Sequence, residues 1–162
     1  MKVWKLPQGT PQSKGKAMIN LLPLSEGENI TTIMPLPENE REWENLYIMF
    51  TTEKGNVRKN KLSDFVDVRA NGKIAMKLQD KDEIKTVETC TDDDDLLITT
   101  LKGQCIRFRA SDVRLFVGRS STGVRGIRLA QDDRVISSAI IKSMSATTEE
   151  RAAYLKMSRA VR

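Results

Sequence analysis

The chain has 162 residues, 39% of them apolar and 30% charged, with 27 basic against 22 acidic side chains and no histidine. That length supports one domain with its own core, while the lack of histidine removes the commonest general base and the triads built on it. Two cysteines without histidine cannot form an ordinary structural zinc site, and no apolar run reaches the ~18 residues of a membrane span.

In chain order, the opening "MKVWKLPQGT" lacks the apolar stretch of a secretory leader, so a cytoplasmic location with no membrane partner is expected. "KVWKLP" reads as the last strand of a four-stranded unit, which assigns residues 1–12 to a preceding unit. A glycine turn and strand follow in "SKGKAMINL" (13–21), then an acidic turn, "SEGENI". Next comes "LYIMFTTEKGNVRKNKLSDF" (46–65): an apolar strand, a Lys-Gly turn, a basic strand and Ser-Asp, the pattern of a β-hairpin.

The whole series then recurs. "ANGKIAMKL" (70–78) and "STGVRGIRL" (121–129) align with 13–21 on their last leucine, matching Gly15, Gly72 and Gly123, and Ile19, Met76 and Ile127. "LLITTLKGQCIRFRASDV" (96–113) aligns without a gap on the first hairpin, Lys102-Gly103 on Lys54-Gly55 and Ser111-Asp112 on Ser63-Asp64. Four strands in about 50 residues, alternating rather than spaced by three and four, predict propeller-like blades and an all-β fold. The units are expected at 13–66 and 67–117, with a partial one at 118–162. About three blades are fewer than a closed propeller has, so an incomplete disc with unpaired edges is expected. "TTEERAAYLKMSRAVR" (147–162) alone reads as helical, capped by Thr147 or Thr148 with Glu149 and Glu150 in its first turn.

Charge follows the repeat. Residues 54–85 hold nine basic against five acidic side chains and 102–128 seven against one, whereas 25–45 hold six acidic against one. A basic stripe on recurring strands and turns is the electrostatic footprint of a phosphate-binding surface, and such contacts carry little sequence information. Each feature also has a plainer reading: glycines serve turn φ angles, Lys-Gly is an ordinary hairpin turn, and single basic residues mark exposed strand faces. Cys90 and Cys105 read as packing residues. Asp92 to Asp95 lack the alternation and glycine of a calcium loop, so no metal and no cofactor are expected. Aromatic content of 5% is too thin for a single-strand stacking platform.

The stretches "KVWKLPQGTPQSKGKAMINLLPLSEGENI", "FTTEKGNVRKNKLSDF", "DDDDLLITTLKGQCIRF" and "GRSSTGVRGIRL" resemble the C-terminal domain of the gyrase A family of bacterial DNA gyrases over about residues 2–141. The resemblance implies a β-pinwheel, a propeller-like disc of four-stranded blades that exchange strands; the tail from about Met144 to Arg162, with its short C-terminal helix, departs from the usual blade. It implies non-catalytic wrapping of duplex DNA on a basic rim in support of negative supercoiling. As protein partners it implies gyrase B and the remainder of gyrase A, with no enzymatic activity in this chain by itself. The family's Gln-Arg-Arg-Gly-Gly-Lys-Gly box is absent, and "PQSKGKAM" is only a relative of it. The candidate DNA-binding residues are Lys14, Lys16, Arg58, Lys59, Lys77, Arg107, Arg109, Arg119, Arg125 and Arg128; no catalytic residue is assigned. The alternatives are a DNA-geometry-sensing domain like that of topoisomerase IV, a protein-binding propeller and an inactive split-gene remnant.

Overall fold

A computed structural model describes residues 2–66, 68, 72–118 and 120–160. Its strands are β1 (Tyr47–Thr52), β2 (Asn56–Lys61), β3 (Ile84–Cys90), β4 (Asp95–Thr100), β5 (Cys105–Arg109), β6 (Val124–Arg125) and β7 (Val135–Ile141), followed by helix α1 (Thr148–Ala160). Both expected hairpins form. β1 pairs with β2 and β4 with β5, all antiparallel, across turns whose Gly55 and Gly103 have φ of 80° and 79°. That left-handed conformation suits glycine at these turns.

The strands assemble into two sheets, ordered β3-β1-β2-β6 and β5-β4-β7. Neither sheet coincides with one sequence unit. The first takes its hairpin from 13–66, β3 from 67–117 and β6 from 118–162, while the second adds β7 of the last unit to the hairpin of the middle one. Strands are therefore lent from unit to unit, as the resemblance implied.

The repeat is reproduced bond for bond. The backbone N–H of Lys54 donates to Asp82 Oδ1 (2.9 Å) and that of Lys102 to Asp133 Oδ1 (3.0 Å). Lys54 Nζ and Lys102 Nζ donate to the carbonyls of Asp80 and Gln131. Each Lys-Gly turn is thereby clamped by the acidic turn of the following unit, and neither lysine is simply solvated.

One apolar core, with Met49, Val57, Cys90, Leu96, Ile98, Ile127 and Val135, lies between the sheets. A second, with Ile48, Phe50, Leu62 and Met76, covers the opposite face of the first sheet, where Met34, Trp43 and Phe65 pack on it. β1 and β2 are thus buried on both faces, whereas β4 alternates buried and half-buried and β5 is mostly exposed.

The expected strand in residues 1–12 is not formed. Val3–Lys5 is a single 3-10 turn, and no described strand offers that segment a ladder partner. Residues 13–21 likewise stay unpaired, with one 3-10 turn at Met18–Asn20.

α1 begins where its cap was expected. Thr147 Oγ1 accepts from the Glu150 N–H (3.1 Å), and Glu150 Oε2 accepts from the Thr147 N–H (2.7 Å). This reciprocal box satisfies two otherwise orphaned donors. The side chains described on the helix, residues 148–157, are all exposed, so tertiary packing does little to hold it and the cap matters more. Thr147→Ala should reduce the helical far-ultraviolet dichroism while leaving the unfolding transition of the sheets in place.

Candidate nucleic-acid interface

The ten candidate cations separate by burial. Lys14, Lys16, Lys77, Arg107, Arg109, Arg125 and Arg128 are exposed, Arg119 lies outside the described residues, and Arg58 and Lys59 are buried at 1% and 4% exposure. The last two correct the expectation of an outer-face role. Both sit on β2, whose two faces are covered, and both spend their donors inside the protein.

Arg58 ties β2 to the glycine-rich turn that follows Phe116. Its Nε donates to Asn60 Oδ1 (2.8 Å), its Nη1 to the Ser121 carbonyl and hydroxyl (both 2.6 Å), and its Nη2 to the Gly118 carbonyl. Asn60 Nδ2 adds bonds to the carbonyls of Phe116 (2.8 Å) and Gly118 (3.2 Å). The guanidinium also lies 4.7 Å from the Phe116 ring centre, with that of Arg114 at 4.3 Å. Burial, then the neighbouring Arg114 charge, pushes the Arg58 guanidinium below its ordinary pKa. The basic turn is thus held by an arginine that does not itself face solvent.

Lys59 plugs the inter-sheet core. Its Nζ donates to Asp92 Oδ1 (2.7 Å) and the Ala110 carbonyl (2.8 Å) and lies 4.9 Å from the Tyr47 ring centre. The Lys59 bond holds the Asp92 carboxyl below its usual range, and the bond to Asp92 raises the Tyr47 hydroxyl.

The acidic run is dispersed among protein partners. Asp92 meets Lys59, and Asp95 pairs with Arg107 (3.5 Å). Asp94 accepts from the Thr91 N–H (2.7 Å), Lys142 Nζ (2.9 Å) and the Ser143 N–H (3.1 Å). Among the described residues no group of three or more metal-ligating side chains gathers. Burial pushes the Asp94 carboxyl up, but its hydrogen bonds outweigh that and hold it below the ordinary range. A depressed folded-state pKa contributes stability that is present above the unfolded value, about 3.9, and lost as pH falls through the folded one. Asp94→Asn should therefore lower stability at neutral pH and flatten its fall below about pH 4, which urea titrations across that range would show.

The exposed cations lie on or beside the repeated elements. Arg125 is on β6, opposite Asn56, and Arg107 and Arg109 are on β5. The backbone of Lys77 bonds to the Ser121 carbonyl (3.3 Å), which brings the second glycine unit beside the third. Among the described residues no carboxylate pairs with the side chains of Lys14, Lys16, Lys77, Arg109, Arg125 or Arg128. Arg114, exposed and stacked on Phe116, was not among the candidates. The dense basic run 102–128 was its only signal in the sequence. Cys90 is buried, its thiol pushed up to about 11 by burial, but Cys105 is exposed on the edge strand and is not the packing residue it was expected to be.

The family model of the DNA gyrase C-terminal domain, beta-propeller, matches residues 1–37, 46–91 and 94–142. The chain belongs to this family. It is 48% identical over 163 residues to the gyrase A protein of Granulibacter bethesdensis, covering 99% of this chain and 17% of the relative. With the gyrase A protein of Rickettsia bellii it shares 49% over 158 residues, 98% of this chain and 18% of that one. The chain thus spans under a fifth of the length of these curated relatives, and by itself it is not the catalytic unit. Among solved structures, a DNA gyrase A C-terminal domain superposes with a TM-score of 0.66 at 28% identity, over 80% of this chain and 42% of that one. The C-terminal domain of a DNA topoisomerase IV gives 0.69 at 27%, over 80% and 39%. No helix among the described residues is long and apolar enough to cross a membrane.

Proposed function

We propose that this chain binds duplex DNA without catalysis, bending it along a basic rim as the C-terminal domain of a gyrase A protein. In that role it would work with the rest of gyrase A, with gyrase B and with DNA in negative supercoiling. The observation that carries the reading is the division of the cations. Two are consumed inside the fold, while Lys14, Lys16, Lys77, Arg109, Arg125 and Arg128 stay exposed without a carboxylate partner among the described residues. Arg107, half engaged with Asp95, and Arg119 complete the set.

Arg109 and Arg125 are carried on strands and the other four on the recurring glycine units, and each phosphate such cations neutralise releases condensed counterions. The bent path is favoured because a duplex then meets more of the rim, offsetting an elastic cost of about 1–6 kcal/mol. Binding of a fluorescent duplex of about 40 base pairs over a salt series tests the reading, since log K should fall with a slope of about −0.9 per phosphate contact. A folded chain that fails to bind even at low salt would instead support a protein-binding propeller.

A further inference from the structure

Arg58 and Asn60 stand where a hairpin of this repeat requires neither. Their counterparts in the second hairpin are Ile106 and Phe108, and that hairpin forms with the same pairing. On β2 the two lie opposite Phe50 and Ile48, so a charged and a polar side chain share the face of an apolar cluster. Every acceptor that Arg58 meets is neutral: Asn60 Oδ1, the Ser121 carbonyl and hydroxyl, and the Gly118 carbonyl. Burying a charge among neutral partners is costly, and nothing in the hairpin itself asks for it.

What the pair holds is the segment from Leu115 to Gly123. Leu115 bridges to Lys59, and the Phe116 N–H donates to the Lys59 carbonyl (2.9 Å). Asn60 Nδ2 donates to the Phe116 and Gly118 carbonyls, and Arg58 takes the Gly118 and Ser121 carbonyls with its two terminal nitrogens. Gly123 then passes so near β2 that a Cβ there would lie 2.2 Å from the Val57 carbonyl oxygen. The planar fork of Arg58 thus spans the turn between two fixed points. An exposed cation stands at either end of this segment, Arg114 before it and Arg125 after it. Neither pairs with a carboxylate among the described residues. The guanidiniums of Arg58 and Arg114 lie 4.7 and 4.3 Å from the same Phe116 ring centre. Two like charges sharing one ring without an acid beside them make a local field that favours an anion.

We infer that Arg58 is a positioning residue for DNA: it touches no phosphate itself, but its grip on Gly118 and Ser121 sets where Arg114 and Arg125 meet the duplex backbone. This rests on the DNA-binding reading above and adds two things to it, a buried residue that acts through others and Arg114 as a phosphate contact. The role belongs to the shape of the fork, not to the charge alone. A lysine ammonium carries the same charge but cannot span two carbonyls with a rigid planar group.

Arg58→Lys, measured over the same salt series with the same duplex, should flatten the slope by about 1.8 and weaken binding about fiftyfold near 0.1 M salt, as two lost phosphate contacts do at about 0.9 each. It does so although no exposed cation has been removed. Arg114→Ala alone should flatten the slope by about 0.9, and adding it to Arg58→Lys should flatten it no further, because that contact is already lost. A purely structural Arg58 would lower the urea midpoint and leave the slope of the folded chain alone. If Arg58→Lys does not fold, Ser121→Val serves instead. It leaves β2 intact, removes the hydroxyl acceptor and sets methyl groups against Nη1, and it should flatten the slope in the folded chain. A parental slope in folded Arg58→Lys, a parental slope in Ser121→Val, or losses from Arg58→Lys and Arg114→Ala that simply add would each overturn the inference. Failure of the DNA-binding reading looks different: the unsubstituted chain then binds no duplex at all, and the positioning role falls with it.

Discussion

Reversing Lys77, Arg109, Arg125 and Arg128 to glutamate together should lower affinity for a duplex by about a thousandfold or more near 0.1 M salt, because each lost phosphate contact removes roughly 0.9 from the salt slope. None of the four side chains is buried or paired with a carboxylate among the described residues, so the folded state should lose little. Surface substitutions of this kind usually change stability by only about ±0.5 kcal/mol. The readout is therefore a flattened log K against log salt at an unchanged unfolding midpoint. An unchanged slope would show that these residues face away from the phosphates, and the rim would have to be sought elsewhere on the surface.

Lys59→Ala should do the opposite. It removes one of the two donors to the Ala110 carbonyl, which keeps the Val113 N–H (3.2 Å), opens space beside Tyr47 and releases Asp92. Asp92 is half exposed and can turn to water, so the ion pair itself contributes less than a fully buried one would. The lost hydrogen bonds of the ammonium and the lost packing of the lysine stem together predict a destabilisation of about 2 kcal/mol. Lys59→Met, which keeps the stem, should cost less. In both variants the salt slope for DNA should match that of the parent chain. If Lys59→Ala flattened the slope without lowering the denaturant midpoint, Lys59 would be a DNA contact and its burial irrelevant to function.

The two experiments bear on one pair of repeat positions. Lys59 and Arg107 occupy the same place in successive hairpins, and alternation puts each on the same side of its strand. Lys59 is 4% exposed because the second sheet lies over it, whereas the Arg107 side chain remains 64% exposed because no layer among the described residues covers that face of β5. Charge type and strand periodicity were the same in both, and the neighbour alone made the difference.

Much of the fold was legible in the residues. Both Lys-Gly hairpins and the capped helix form, since each depends on interactions within a few residues: a positive φ at Gly55 and Gly103, and a threonine over a first helical turn. The family was legible as well, from the order and spacing of those local signals. What the residues could not show was which strands lend themselves to which sheet, and hence which polar faces end up covered. β3 and β6 join a hairpin from another unit, Arg58 and Lys59 go inside, and residues 2–21 find no ladder among the described strands. By itself, the sequence determined the local elements and where the charge lies along the chain. Only the tertiary structure decided which cations remain available to a ligand, because burial depends on segments distant in sequence closing over a face that alternation alone leaves open to either fate.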